Sequence, residues 1–173
     1  MYGQNTFSPH THNPPPRWAE SSHFPYHGTT PRSKNITHIM TKQQTLSTLI
    51  KKLDRIFSQY IRLRDSAEYD HRYFRCISCG EVLPIEYADC GHYISRTTLS
   101  TRFSEDNCHA ECINCNRFDP DHLDRYTKNL IAKIGEQRYA SLITLSHNTL
   151  FRYAHYEIQE LIKYYTQQVK LMQ

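Results

Sequence analysis

The clearest hydrophobic pattern in the sequence lies between residues 43 and 66. Apolar residues recur there at steps of three and four, which places them along one side of an α-helix. Basic residues lie mostly off this stripe, on a face that is either solvated or turned toward phosphate groups. We therefore predict a basic amphipathic helix within 40–70. The apolar stripe consists of Leu46, Leu49, Ile50, Leu53, Ile56, Phe57, Tyr60 and Ile61.

A second helical pattern begins near Pro120 and fills the region 120–173. Apolar residues at helical spacing run up to Gly135, a residue type that often ends helices. A shorter helix is predicted over 136–145 and a longer one over 150–171. The apolar face of the last helix fits either the interior of the protein or a homodimer interface, because both would produce the same pattern.

The first 39 residues lack any apolar periodicity. Six of the eight prolines lie in the first 31 positions, and five of the eleven histidines precede Met40. Such a segment buries too little apolar surface to offset the entropy lost on ordering, so 1–39 is predicted to be a disordered tail. The irregular histidine spacing favours a polar tail over a metal-binding tract. A further hypothesis is that 1–39 is an upstream extension and that the working protein starts at Met40.

The composition limits the functions that need to be considered. Hydrophobic residues make up 38% of the 173 residues, and the formal net charge of +4 permits a nucleic-acid partner without requiring one. No apolar run is long enough to cross a bilayer, and no secretory leader opens the chain, so we expect a cytoplasmic protein without membrane contact. Six cysteines in such a chain indicate metal or redox chemistry rather than a disulfide framework.

Two CxxC pairs carry the strongest local signal. Two residues between cysteines allow both thiolates to bind one ion, and two such pairs complete a tetrahedral zinc site. A site with four thiolates has no open position, so the zinc is predicted to be structural. The remaining cysteines, Cys90 and Cys108, are interpreted as packing residues, with either as an alternative ligand. The predicted zinc ligands are Cys76, Cys79, Cys112 and Cys115.

The 32 residues between the two pairs contain a second group of candidate functional residues. Asp89 and His92 lie close together on a predicted strand. Asn107 lies at a predicted boundary between a loop and a helix, and Asn116 directly follows the last cysteine. An imidazole, a carboxylate and amides in one small region are suited to metal-dependent hydrolysis of a phosphodiester.

Five motifs in this order resemble the phage lambda NinG/Rap recombination endonuclease family, which is similar to the HNH and endonuclease VII nucleases. The resemblance covers residues from about 53 to 145. It implies an α+β fold in which a zinc-stabilised ββα-metal (HNH) core, residues 71–119, is flanked by N- and C-terminal helices. The motifs are FSxYIRLRD from Phe57, CxxCG from Cys76, DxGHYISR from Asp89, TRF from Thr101 and NxHxxCxxCN from Asn107.

The resemblance also implies an enzyme. Its expected activity is the metal-dependent nicking of branched DNA, such as Holliday junctions and D-loops, during phage recombination in the cytoplasm of a bacterial host. Resolving a junction requires two nicks, for which a homodimer would supply two identical sites. The expected cofactors are structural Zn²⁺ and catalytic Mg²⁺ or Mn²⁺.

The motifs assign a role to each candidate residue. His92 corresponds to the general base, Asp89 and Asn116 to ligands of the catalytic cation, and Asn107 to the residue that holds the loop and orients the base. In the endonuclease VII group the Asp and His are adjacent, whereas here they are three positions apart. Residues at i and i+3 of a regular strand face opposite sides, so both can reach one metal only if the strand bulges or turns between them, for which Gly91 is suited. Without a bulge, we expect Asp89 to lie outside the site.

Two alternatives remain open at the level of residues. His109 is the rival general base, because it lies only two residues after Asn107. Three arginines near the site, Arg96, Arg102 and Arg117, are candidates for contacts with DNA phosphates, although each alone fits a solvated charge equally well.

Two alternatives remain open at the level of function. The first is a non-catalytic zinc-ribbon module that binds DNA, which would need the cysteines and basic residues but not the Asp, His and Asn residues together. The second is an HNH nuclease that acts on ordinary duplex.

Overall fold

The computed structural model of the protein describes residues 44–173, so the predicted tail 1–39 lies outside the described residues. The first helix, α1, covers Leu46–Ser66. It begins there because the Thr45 hydroxyl accepts a hydrogen bond from the backbone N–H of Thr48 at 3.2 Å, which caps the helix. The apolar stripe of α1 is buried at five positions, as the periodicity predicted. These are Leu49, Leu53, Phe57, Tyr60 and Ile61.

A small hairpin follows α1 after a short 3₁₀ turn. Strands β1 (Tyr73–Arg75) and β2 (Val82–Pro84) pair antiparallel. The turn between them contains Gly80 at φ +77°, a left-handed conformation that glycine adopts without steric cost. This turn carries the first CxxC pair.

A second hairpin and a short helix form the centre of the molecule. Strand β3 (Ala88–His92) pairs antiparallel with β4 (Cys108–Cys112), and helix α2 (Ile113–Phe118) follows directly. The order of these three elements is therefore β-β-α, and the described part of the chain is mixed α+β. Asn107 directly precedes strand β4, so the predicted boundary between a loop and a helix at this position is wrong.

Three helices complete the chain. They are α3 (His122–Ile134), α4 (Glu136–Ser146) and α5 (His155–Leu171). Gly135, at φ +82°, separates the first two as predicted. The last helix starts about five residues later than 150, because the Glu157 carboxylate accepts a hydrogen bond from the Ala154 N–H at 2.7 Å and caps the helix there.

The main hydrophobic core lies between α1 and α5. Ile158, Ile162, Tyr165 and Val169 of α5 are buried in one cluster with the α1 stripe, together with Phe103 from the loop before β4. The apolar face that we considered as a dimer interface is therefore turned into the protein. In the described part of the chain, no helix combines the length and hydrophobicity needed to cross a membrane.

Two smaller clusters hold the β-β-α unit to its neighbours. The first surrounds the cysteine pairs and contains Phe74, Ala88 and Ala110. The second joins Ile77 to Tyr126 and Leu130 of α3 and to Leu142 of α4. The Tyr126 hydroxyl also donates to the Gly91 carbonyl oxygen at 3.1 Å, which attaches α3 to β3.

Candidate active site and metal centre

The two CxxC segments meet in the folded chain. Cys76 and Cys79 lie after β1, whereas Cys112 ends β4 and Cys115 lies in α2. Their four Sγ atoms are within 4.8 Å of one another. The structure thus brings together the predicted ligand set, which can hold a metal such as zinc.

Backbone N–H groups support the sulfur atoms of this cluster. The N–H of Cys112 donates to Cys76 Sγ at 3.3 Å, and the N–H of Cys115 donates to Cys112 Sγ at 3.4 Å. Such outer contacts orient the ligands and stabilise negative charge on thiolates. A cation at this position would tie the β1–β2 hairpin to the end of β4 and the start of α2.

A cavity of about 300 Å³ lies between α1, β3 and α2. Asp89, His92 and Asn116 all line it, together with Arg96 and Arg117. Asp89 and Arg117, which are 28 positions apart in the chain, therefore share one site. The β-hairpin supplies the carboxylate and the imidazole, and the helix that follows supplies the amide.

The predicted bulge at Gly91 is absent. Pairing between β3 and β4 is regular from Ala88 opposite Cys112 to His92 opposite Cys108. Two-stranded ribbons twist more strongly than larger sheets, so side chains three residues apart can border the same concave surface without a bulge. Gly91 has a different role, because a Cβ at this position would lie 2.3 Å from Glu111 Oε2.

The Asp89 carboxylate is surrounded by donors. Asn116 Nδ2 donates to its Oδ2 at 2.9 Å, and the Arg117 guanidinium donates to both of its oxygens at 2.7 and 2.8 Å. These contacts, above all those with Arg117, lower the pKa of Asp89 despite partial burial. The group is therefore an anion at neutral pH, as a ligand of a hard cation must be.

The His92 imidazole lies between two backbone carbonyl oxygens. Its Nδ1 is 3.3 Å from the Cys90 oxygen, and its Nε2 is 3.1 Å from the Arg102 oxygen. A neutral imidazole has one N–H and can donate to only one of them, so the other nitrogen keeps its lone pair. Burial is the main cause of a lowered pKa of His92, and the nearby Arg96 and Arg102 charges add to it. The ring is consequently neutral at pH 7 and able to accept a proton.

Asn107 holds the loop that follows His92. Its Oδ1 accepts from the Ile94 N–H at 2.7 Å, and its Nδ2 donates to the carbonyl oxygens of Ile94 at 3.0 Å and Thr101 at 3.1 Å. The side chain is fully buried, with 0% of its surface exposed. These contacts are what we expect of a residue that fixes the loop and the end of β3.

His109, the rival general base, lies away from the cavity. It is 2% exposed, and the Arg64 guanidinium donates to its Nδ1 at 2.9 Å. Burial lowers the pKa of His109 to about 3. A ring that is this buried has no path to a phosphate, so the geometry favours His92.

The arginines near the site are engaged by carboxylates. Arg102 pairs bidentately with Asp54 at 2.9 and 2.7 Å, and Arg96 reaches the same carboxylate at 3.2 Å. Arg96 and Arg117 line the cavity and keep more than half of their side-chain surface exposed. Asp54 of α1 also lines the cavity, but the sequence analysis did not identify it. Its only signal in the sequence is a position off the apolar stripe of α1, which many solvated residues share.

Residues 31–173 match the family model described as "Bacteriophage Lambda NinG protein". Protein ninG of Escherichia phage lambda is 36% identical over 91 residues, which cover 51% of this chain and 40% of that protein. Protein ninG of Escherichia phage 933W is 36% identical over 91 residues, covering 51% and 41%. Protein ninG of Salmonella phage P22 is 37% identical over 89 residues, covering 50% and 39%.

The chain spans about two-fifths of the length of these curated relatives. No solved structure matches it significantly. The fold and the site are therefore described from the geometry of this chain alone.

Proposed function

The chain belongs to the family of bacteriophage lambda NinG proteins, and we propose that it is a metal-dependent endonuclease that nicks branched DNA intermediates of phage recombination. One observation carries the proposal: Asp89, His92 and Asn116 of a β-β-α unit line a single cavity whose edge carries exposed arginines. Phosphodiester hydrolysis needs an activated water, neutralisation of the phosphate charge and support for the leaving oxygen. The cavity contains a group suited to each task.

His92 is the proposed general base. It is neutral at pH 7 because burial lowers its pKa, and one ring nitrogen keeps a lone pair that accepts a proton from water. Asn107 forms hydrogen bonds with Ile94, in the loop that follows β3. These bonds hold the C-terminal end of β3, and with it the His92 ring, in place. A fixed ring lowers the entropic cost of each proton transfer.

Asp89 and Asn116 are the proposed ligands of the catalytic cation. Their side chains already meet at 2.9 Å, and both carry oxygen atoms, which Mg²⁺ and Mn²⁺ prefer. Asn116 would turn its amide so that the oxygen faces the ion. When bound, such an ion neutralises phosphate charge and lowers the pKa of a coordinated water. Two protein ligands leave positions free for water and substrate.

Arg117 and Arg96 are the proposed phosphate contacts. Arg117 now neutralises Asp89, and the arrival of a cation there would release the guanidinium toward DNA. Among residues 44–173, the Arg96 side chain has one ion pair, with Asp54, so it too can exchange this contact for a phosphate. Both side chains are more than half exposed, so such exchanges need no unfolding.

The preference for branched DNA rests on the family resemblance of the five sequence motifs. A nuclease of this kind recognises backbone geometry and charge, since a junction has no defining base sequence. An HNH nuclease that acts on ordinary duplex would use the same cavity and differ only in substrate.

A non-catalytic DNA-binding module is the second candidate function. The bidentate pair between Arg117 and Asp89 favours it, because a carboxylate that is already paired resembles a structural ion pair. In this case the cysteine cluster and the exposed arginines would serve binding alone.

A cleavage assay separates these functions. The protein carrying one equivalent of Zn²⁺ is incubated with a Holliday junction, a D-loop, a flap and a linear duplex, first without further divalent cation and then with Mg²⁺ or Mn²⁺. We expect nicks in the branched substrates only, and only with the added cation. Equal nicking of the linear duplex would indicate a general HNH nuclease, and binding without nicks on any substrate would indicate the module.

A further inference from the structure

A second group of metal-binding side chains lies at the cavity. Cys90, His92 and Cys108 place their ligand atoms within 4.8 Å of one another. Cys90 and His92 are two residues apart on β3 and so lie on one side of the strand, whereas Cys108 is the cross-strand partner of His92 on β4. The regular pairing of the two strands therefore brings two thiols and one imidazole to a single point.

The spacing of these atoms suits a soft divalent cation. In a tetrahedral zinc site, Zn–S bonds of about 2.3 Å and Zn–N bonds of about 2.0 Å place the ligand atoms roughly 3.5–3.8 Å apart. Because the ligand atoms already lie within 4.8 Å of one another, they need to close by at most about 1 Å to reach this geometry. Thiolates and imidazole select zinc over Mg²⁺, which prefers oxygen ligands.

This group differs from the four-cysteine cluster in its access to solvent. Cys90 and His92 line the cavity, whereas Cys108 is buried in the main core. A zinc ion with three protein ligands keeps a fourth position for water or another small ligand. The three side chains therefore form a candidate zinc site that is open to the cavity, through which zinc can bind and be released.

We propose that Cys90, His92 and Cys108 form a second zinc site whose occupation switches the enzyme off. The inhibitory part rests on the proposed function, in which His92 is the general base. Zinc binding releases the two thiol protons to solvent and takes up one imidazole nitrogen. The other nitrogen of a neutral ring then carries the only proton, so the ring can no longer accept one from water.

Zinc stoichiometry tests the site itself. The full chain is kept reduced with a phosphine, equilibrated with a small excess of Zn²⁺ and analysed by native mass spectrometry. We expect two zinc ions in the wild type and one in both Cys90→Ala and Cys108→Ala, because the four-cysteine cluster is intact in both. Two variants are used because Cys108 is buried and its replacement could disturb the core. Ser58→Ala, which changes a cavity residue without a thiol, should retain two ions.

Nicking in the presence of Mg²⁺ tests the inhibitory role. Zn²⁺ beyond the first equivalent should slow the wild type by about the 10²–10⁴-fold that a positioned base contributes. The nicking rate of Cys90→Ala should stay at the value this variant shows before excess Zn²⁺ is added, throughout the same titration. One bound zinc in the wild type would overturn the site, whatever the nicking assay shows. Two bound ions with equal inhibition of both proteins would overturn the switch. An absence of nicking throughout would contradict the proposed function, while the zinc count would still decide the site.

Discussion

At the residue scale, the environment of His92 combines burial with access. The ring is partly enclosed by two backbone carbonyls and yet borders the cavity that also contains Asp89 and Asn116. Burial keeps it neutral, and its place on the cavity wall leaves part of the ring open to solvent. These two properties together are what a general base at pH 7 requires.

We predict that His92→Ala lowers the rate of nicking by about 10²–10⁴-fold. The zinc of the four-cysteine cluster and DNA binding should persist, because the ring is outside that cluster and binding rests on contacts between basic residues and phosphates. Rates on a Holliday junction with Mg²⁺ provide the measurement, and His147→Ala on an exposed surface serves as the control. Equal cleavage by wild type and His92→Ala, with loss in His109→Ala, would transfer the role to His109.

His109 has a structural function in the same hairpin. Burial, together with the Lys133 and Arg64 charges, lowers its pKa to about 3, and Asp65 only partly opposes this. The unfolded chain binds a proton on this ring below its ordinary pKa of about 6.5, whereas the folded chain does not. The stability of the fold therefore falls as pH drops from 7 toward 3.

We predict that this ring removes roughly 2 kcal/mol of unfolding free energy between pH 7 and pH 5. His109→Asn keeps an acceptor for Arg64 but cannot titrate. The difference in unfolding free energy between wild type and variant should therefore shrink by about 2 kcal/mol when the pH is lowered from 7 to 5. Urea denaturation of the zinc-loaded proteins at both pH values measures the gap. Any acid sensitivity of the cysteine cluster is shared by both proteins and cancels. Parallel losses of stability would contradict the account.

At the element scale, the cysteine cluster connects elements that have few apolar residues of their own. Strands β1 and β2 have three residues each, and α2 has six. Elements of this length are not stable alone in water. A cation held by all four cysteines would supply folding free energy that the small apolar cluster around Phe74 does not provide.

We predict that Cys115→Ser abolishes the structural zinc and unfolds the 72–118 segment. Metal analysis and circular dichroism measure the two effects, and Cys90→Ser, outside the cluster, should retain this zinc and the fold. A folded Cys115→Ser protein without zinc would show that the cluster is not a structural metal site.

The pair α1 and α5 forms the other major contact between elements. Ile158 is fully buried in their shared core, whereas Leu171 at the end of α5 is 72% exposed. We predict that Ile158→Ala lowers the free energy of unfolding by about 2–5 kcal/mol, the usual cost of removing a buried Ile side chain. Leu171→Ala should change it by about 0.5 kcal/mol or less. Denaturant titrations compare the two, and similar small effects would show that α5 is not packed as described.

At the scale of the whole molecule, the inward apolar face of α5 changes the prediction of a dimer. The surface that we considered for self-association is already covered by α1, so removing 150–173 would expose the core instead of producing a nicking monomer. Two copies are still expected on a junction through another surface, because junction resolution needs two nicks. We predict two protein copies on each four-way junction, measured by light scattering with and without DNA. A single copy in both conditions would contradict it.

Sequence patterns were sufficient wherever the determining interactions are local. Helical periodicity predicted α1, because a helix buries residues that recur every three to four positions. The CxxC spacing predicted the four-cysteine cluster, because two thiols so close in the chain can point at one place. Asn107 and Asn116 were marked by their positions in the motifs, although the element that follows Asn107 proved to be a strand.

Only the tertiary structure decided the questions that depend on residues far apart in the chain. No pattern in the sequence pairs Asp54 of α1 with Arg96 and Arg102, and none indicates that the apolar face of α5 packs on α1. Whether Asp89 and His92 share a site depends on the twist of the hairpin, which the strand period alone does not give. The sequence by itself therefore determined the elements and the chemistry they carry, and the packing of those elements determined which groups meet in the cavity.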